Sequence, residues 1–107
     1  MVYLIKSASY DADKVFYKIG FTANILKRLP KYITHNPTAE LLQYVDTYSK
    51  TKHRLEIALH KELKALGYRF HISYGITTEW IEVDKNKPIR LEQFKACKYH
   101  KVVTLKE

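Results

Sequence analysis

The sequence predicts an α/β composition of the α+β kind: a small, mainly antiparallel sheet flanked by helices. Three observations carry this. Two apolar runs, Val2–Ser7 and Val15–Gly20, flank a polar turn at Ser9–Lys14, which is the pattern of an antiparallel hairpin. Ser49–Leu66 places Leu55, Ala58, Leu59 and Leu66 at helical spacing and ends before Gly67, where a helix-terminating glycine belongs. Glu79–Val83 alternates polar and apolar residues in the manner of a half-buried strand.

Taken in order, Val2–Ser7 is rich in strand formers and opens the sheet. Val15–Gly20 returns as the second strand. Thr22 or Asn24 caps a helix that runs through Ile25, Leu26, Arg28 and Leu29. Pro30 removes a backbone donor, so a kink or break is expected there, with Lys31–Thr34 as a short further turn. His35-Asn36-Pro37 ends that stretch, and Glu40–Tyr48 reads as a third strand. The Ser49–Leu66 helix follows. Tyr68–Tyr74 fits neither period cleanly. Beyond the Glu79–Val83 strand, Pro88 suits the first turn of a last helix through Leu91, Phe94 and Ala96. Val102–Leu105 is a terminal strand or a trailing end.

The length, 107 residues, predicts one domain over residues 1–107, with a core at about 2–83 and a basic segment at 84–107. Hydrophobic residues make up 46% and charged residues 28%, a globular balance. Three glycines and three prolines exclude a linker-like or collagenous chain. The single cysteine, Cys97, excludes an intramolecular disulfide framework and a multi-cysteine zinc site. No apolar run approaches the ~18 residues of a spanning helix, so a cytoplasmic, reducing location with no membrane partner is expected.

Nineteen lysines and arginines against eleven acids give a net charge of +8. That excess points to a polyanion, nucleic acid before membrane. Lys85–Glu107 holds Lys85, Lys87, Arg90, Lys95, Lys98, Lys101 and Lys106 against Glu92 and Glu107, with Tyr99 and His100 interleaved. Such a segment suits a phosphate backbone. A solvated helix face would have the same composition.

Chemistry enters through order and spacing. Tyr3 stands in the first strand, Lys18-Ile19-Gly20 closes the second, Asn24 and Arg28 follow, and Glu56 sits inside the long helix with His60 one turn on and His53 one turn before. In this the sequence resembles the GIY-YIG nuclease superfamily. Val2-Tyr3 matches the end of the first half-motif, and Lys18-Ile19-Gly20 takes the place of the second. Gly20–Leu29 looks like the stretch carrying the family's arginine. Leu55-Glu56 with Leu59-His60 looks like its metal-glutamate helix. The resemblance covers residues 2 to 83. It is strongest to a branch found in phages, viruses and microbial genomes, where lysine replaces the second tyrosine and a Glu-Trp strand such as Glu79-Trp80-Ile81 follows.

The resemblance implies a metal-dependent endonuclease that hydrolyses phosphodiester bonds of DNA (RNA is left open) and leaves a 5′ phosphate and a 3′ hydroxyl. Tyr3 would be the general base. A free tyrosine has a pKa near ~10, so neighbouring cations must favour the phenolate, and Lys18 and Arg28 are the candidates. Arg28 also offers a planar fork to phosphate oxygens. Glu56 would hold Mg²⁺ or Mn²⁺, because a hard cation binds few carboxylates and keeps several waters. His60 or His53 would orient Glu56 or touch a phosphate. A zinc site built from Glu56 and a histidine is the minor reading.

Gly20 would let the chain turn sharply from strand to helix. Substrate contacts fall to Tyr17, Gly20, Thr22, Asn24 and Lys27, although the strand period turns Tyr17 to the opposite side from Lys18. Met1 stands where the first half-motif begins with glycine, and Lys18 where the second carries tyrosine. These departures motivate an alternative, a catalytically inactive nucleic-acid-binding module of the same fold. A nuclease-blocking interaction protein is a third reading. A separate recognition domain does not fit in this length, so specificity is expected to be low or to come from a protein partner, an oligomer or a larger parent protein. A phage- or virus-encoded chain would act in the host cytoplasm, with the nucleus left open.

Overall fold

A computed structural model describes residues 1–23, 25, 27, 29–30, 37–46 and 52–106, with the backbone alone at 52 and 53. Six strands form one antiparallel sheet: β1 (Val2–Ala8), β2 (Lys14–Phe21), β3 (Glu40–Val45), β4 (Phe70–Ser73), β5 (Ile76–Asp84) and β6 (Val102–Thr104). Their spatial order is β4-β5-β2-β1-β3-β6. One long helix, α1 (Lys52–Ala65), packs on the sheet, and residues 25, 27, 29 and 30 are also helical. The α+β architecture is the one the sequence predicts. Asn24, Leu26, Arg28, the turn expected at 31–34, its end at 35–36, and the end of the third strand and start of the long helix at 47–51 lie outside the described residues.

The β1–β2 hairpin forms because its two apolar runs alternate faces in register. Val2 pairs with Phe21, Tyr3 with Gly20, Leu4 with Ile19 and Ile5 with Lys18. Val2, Leu4, Val15, Tyr17 and Ile19 point to one face, where α1 lays down Leu55, Leu59 and Leu63. Burying side chains of this size stabilises the fold by about 1.5–3 kcal/mol each. Tyr3 and Ile5 point to the other face and pack with Ile25, Ala39 and Leu41.

The end of α1 follows its sequence signal. Gly67 takes φ +91°, its N–H donates to the Lys64 carbonyl, and the Tyr68 N–H donates to Leu63, at 3.1 and 3.0 Å. This is the Schellman arrangement, in which a left-handed residue lets the chain fold back onto the last open carbonyls. The segment that fitted neither period becomes β4. It pairs with β5 through a turn at Tyr74 and Gly75, both with positive φ (51° and 76°), the geometry that matches the twist of a tight hairpin.

The expected last helix is replaced. Residues after Pro88 form two short 3-10 turns, Leu91–Gln93 and Lys95–Cys97. Two polar side chains from elsewhere capture the backbone donors that a continuous helix would use. Gln43 Oε1 accepts from Leu91 N at 2.8 Å. Glu62 accepts from Lys95 N at 2.9 Å and Ala96 N at 2.6 Å. Gln43 is fully buried beside a β-bulge opposite Leu4 and Ile5, and its amide also donates to Glu92 and Thr104. Ile89, Leu91, Phe94 and Cys97 thus complete the α1-side core, and the basic segment is fastened to the sheet.

Candidate active site

Tyr3 and Gly20 are directly paired across β1 and β2, so their α-carbons share a face. The Tyr3 ring crosses over Gly20. A Cβ built there would lie 2.5 Å from Tyr3 Oη and 2.7 Å from Cζ. Gly20 therefore leaves room for the phenol. Its expected role as a sharp strand-to-helix hinge is not what the backbone shows: β2 continues through Phe21, and only Gly67 and Gly75 among the glycines have positive φ.

Glu56 arrives from the other layer. Leu55 and Leu59 anchor α1 on the sheet, which brings Glu56, 8% exposed, toward the end of β2. There Tyr3, Gly20, Phe21, Thr22, Ala23, Glu56 and Glu79 line one depression of about 440 Å³. His60, one helical turn on, sets the position of this part of α1. Its Nε2 lies 2.8 Å from the Ile19 carbonyl and 3.8 Å from Glu56 Oε1. A carbonyl can only accept, so Nε2 carries the hydrogen and donates it. The ring also packs edge-on against Phe70 at 5.3 Å.

Lys18 lies two residues from Gly20 on β2 and opposite Trp80 of β5. Its ammonium stands 3.3 Å from a Glu79 carboxylate oxygen and 5.9 Å from the centre of the Trp80 ring. Glu79 is thus both a wall of the depression and the partner of Lys18. The sequence marks it only as a strand residue, and the β2–β5 pairing is what brings it in.

The other expected residues divide plainly. Thr22 lines the depression, and its N–H donates to the Met1 carbonyl at 2.9 Å, extending the β1–β2 ladder. Lys27 is exposed on the helical stretch. Tyr17 does not share the Tyr3 face. It is 2% exposed in the α1-side core, where burial raises its phenol pKa against the lowering influences of the Ile89 backbone and Arg90. As a substrate contact it is corrected by the two-residue period of β2, which turns it away from Gly20. Asn24 and Arg28 lie outside the described residues, as does the side chain of His53.

The donor set suits a hard cation better than zinc. Glu56 and Glu79 both line the depression, and Mg²⁺ binds through one or two carboxylates while keeping waters. His60 Nε2 is committed as a donor to Ile19, so that atom offers no lone pair to a metal. Among the described residues no group of three or more histidine, cysteine, aspartate or glutamate side chains could hold a metal ion, as a closed zinc site would need.

The sequence pattern of the T5orf172 domain matches residues 1–99. The chain belongs to the T5orf172 domain family. This family is nuclease-like and related to the GIY-YIG superfamily, which bears out the resemblance at that level. Among curated proteins and among solved structures, nothing matches this T5orf172 chain. Among its described residues no helix is long and apolar enough to cross a membrane.

Proposed function

We propose that this T5orf172 domain is a metal-dependent endonuclease that hydrolyses phosphodiester bonds of DNA, of the branch in which lysine replaces the second motif tyrosine. The observation that carries the reading is the meeting of the Tyr3 phenol and the Glu56 carboxylate, from opposite layers, at one depression at the end of β2. Hydrolysis needs a base for the attacking water and stabilisation of the charge that develops on the phosphate and leaving oxygen.

Tyr3, as phenolate, takes the proton of the attacking water. The new P–O bond forms as the bond to the 3′ oxygen breaks, and that oxygen leaves as a hydroxyl after taking a proton from solvent. Glu56 would hold Mg²⁺ or Mn²⁺, which supplies Lewis-acid stabilisation of negative charge. Lys18 adds a cation beside Tyr3, and Arg28 is proposed as the phosphate clamp. Thr22 and Lys27 are proposed to contact the strand. His60 acts as a positioning residue for Glu56 through its bond to Ile19. The lysines of the C-terminal segment, fastened to the sheet by Gln43 and to α1 by Glu62, are proposed to grip the strand outside the depression.

One observation favours a second reading, a binding module without turnover: Lys18 is paired with Glu79, which offsets its charge near Tyr3. A supercoiled-plasmid assay in Mg²⁺, Mn²⁺ or EDTA, run beside a gel shift, separates the two. Nicking in the metals and none in EDTA supports the nuclease. DNA binding with no nicking in any condition supports the module.

A further inference from the structure

The Tyr3 face of the sheet continues past Lys18 into a second depression of about 210 Å³, lined by Tyr10, Phe16, His71, Ser73, Thr78 and Trp80. Its chemistry differs from that of the first. Four of its six residues are aromatic, and Tyr10 is fully exposed while Phe16, His71 and Trp80 are half-buried. The rings meet edge to face. Phe16 and His71 have centroids 5.0 Å apart at 68°, and Phe16 and Trp80 are 6.4 Å apart at 71°. Edge contacts of this kind use at most one flat face of a pair, so flat apolar surface stays open to a further planar group. The backbone around the rings is held firmly: Thr78 Oγ1 donates to the His71 carbonyl at 2.8 Å and accepts from Trp80 N at 3.2 Å.

We propose that this aromatic depression is a stacking seat for an unpaired nucleobase of the substrate strand, beside the phosphate to be cut. The inference rests on the nuclease reading above and names the substrate class: DNA with an unstacked base at the site. Two features argue for a nucleotide. The seat is continuous with the proposed reaction site, since Trp80 pairs across the sheet with Lys18, whose partner Glu79 lines the Tyr3 depression. From β5 to β1 is two strand spacings, about 10 Å, so one bound strand can reach both. The second feature is charge: Lys18 stands over the Trp80 ring on a chain of net charge +8, which suits the phosphate attached to a stacked base. A paired base inside a duplex has its faces covered by its neighbours, so only an unpaired or extruded base can enter a concave seat of this kind.

The chain has one tryptophan, so its emission reports Trp80 alone. The full chain is titrated in EDTA, without cleavage, with a single-stranded DNA oligonucleotide, with an abasic backbone of the same length, and with the matching duplex. Stacking predicts quenching by the single strand and binding about ten-fold weaker for the abasic strand and the duplex. His71→Ala and Phe16→Leu, checked for native circular dichroism, should weaken the single strand and leave abasic binding unchanged. Equal binding of abasic and normal strands, or binding by gel shift with no change in Trp80 emission, overturns the proposal. So does the absence of binding. Metal-dependent nicking without base-dependent quenching sinks this inference and leaves the nuclease reading standing. Base-dependent quenching without nicking does the reverse.

Discussion

The phenol of Tyr3 lies across the α-carbon of Gly20, its partner on the neighbouring strand, so closely that a methyl group there would stand 2.5 Å from Tyr3 Oη. The position of the proposed base is therefore set by the absence of a side chain on β2. Gly20→Ala should displace Tyr3 and lower stability by about 1–3 kcal/mol through overpacking. Urea denaturation of Gly20→Ala, Tyr3→Ala and the double variant checks this. The double variant should be more stable than the sum of the two losses requires, because removing the phenol frees the space. Strict additivity would show that the two side-chain positions do not compete.

His60 ties α1 to β2 through its bond to Ile19. Loss of that donor leaves a part-buried carbonyl poorly satisfied, so His60→Ala should lose about 1–3 kcal/mol in urea. His60→Gln keeps an N–H donor and should recover part of that loss. An alanine variant as stable as the parent would remove the tie.

Gln43 holds Glu92 in its ionised form, and this hydrogen bond is the first cause of a carboxyl pKa below its ordinary value of 4.5. The unfolded chain then binds the proton more readily than the folded one. The stabilisation is present above pH 4.5 and is lost as pH falls through the lower folded value. Thermal melts from pH 6 to 3, on the order of that window, should show a shallower acid limb for Glu92→Gln than for the parent. Parallel limbs would exclude the linkage.

Cys97 is buried among the residues that close the α1-side core, and burial, with Glu62 and Glu92 nearby, pushes its thiol up to about 11. At pH 8 about one such thiol in a thousand is thiolate. Native protein should label slowly with a thiol reagent, with a rate that rises in urea along the unfolding transition. Rapid labelling of native protein would show that the C-terminal turns do not seal the core.

The parts of this molecule that were legible in the sequence are local ones. The β1–β2 hairpin and α1 follow from side-chain period and from Gly67. The two-residue period likewise put Tyr17 on the opposite side from Lys18. What was not legible depends on residues far apart in the chain. The helix expected after Pro88 yields to 3-10 turns because Gln43 and Glu62, some 30 to 50 positions away, take its backbone donors. β4 was ambiguous because an edge strand with half-exposed residues has no clean alternation. In the site, motif order points to Tyr3, Lys18 and Glu56. The steric part played by Gly20 and the part played by Glu79 required the pairing register of β2 with β1 and β5.

In the proposed reaction Tyr3 and Glu56 act on one phosphodiester at the depression they share. The direct measurement is single-turnover DNA cleavage in Mg²⁺, at saturating protein, by the parent, Tyr3→Phe and Glu56→Gln, each with a native melting transition. Each variant should lose on the order of a hundred-fold or more in rate while still binding DNA. A folded variant of either kind that cuts at the parental rate would contradict the account.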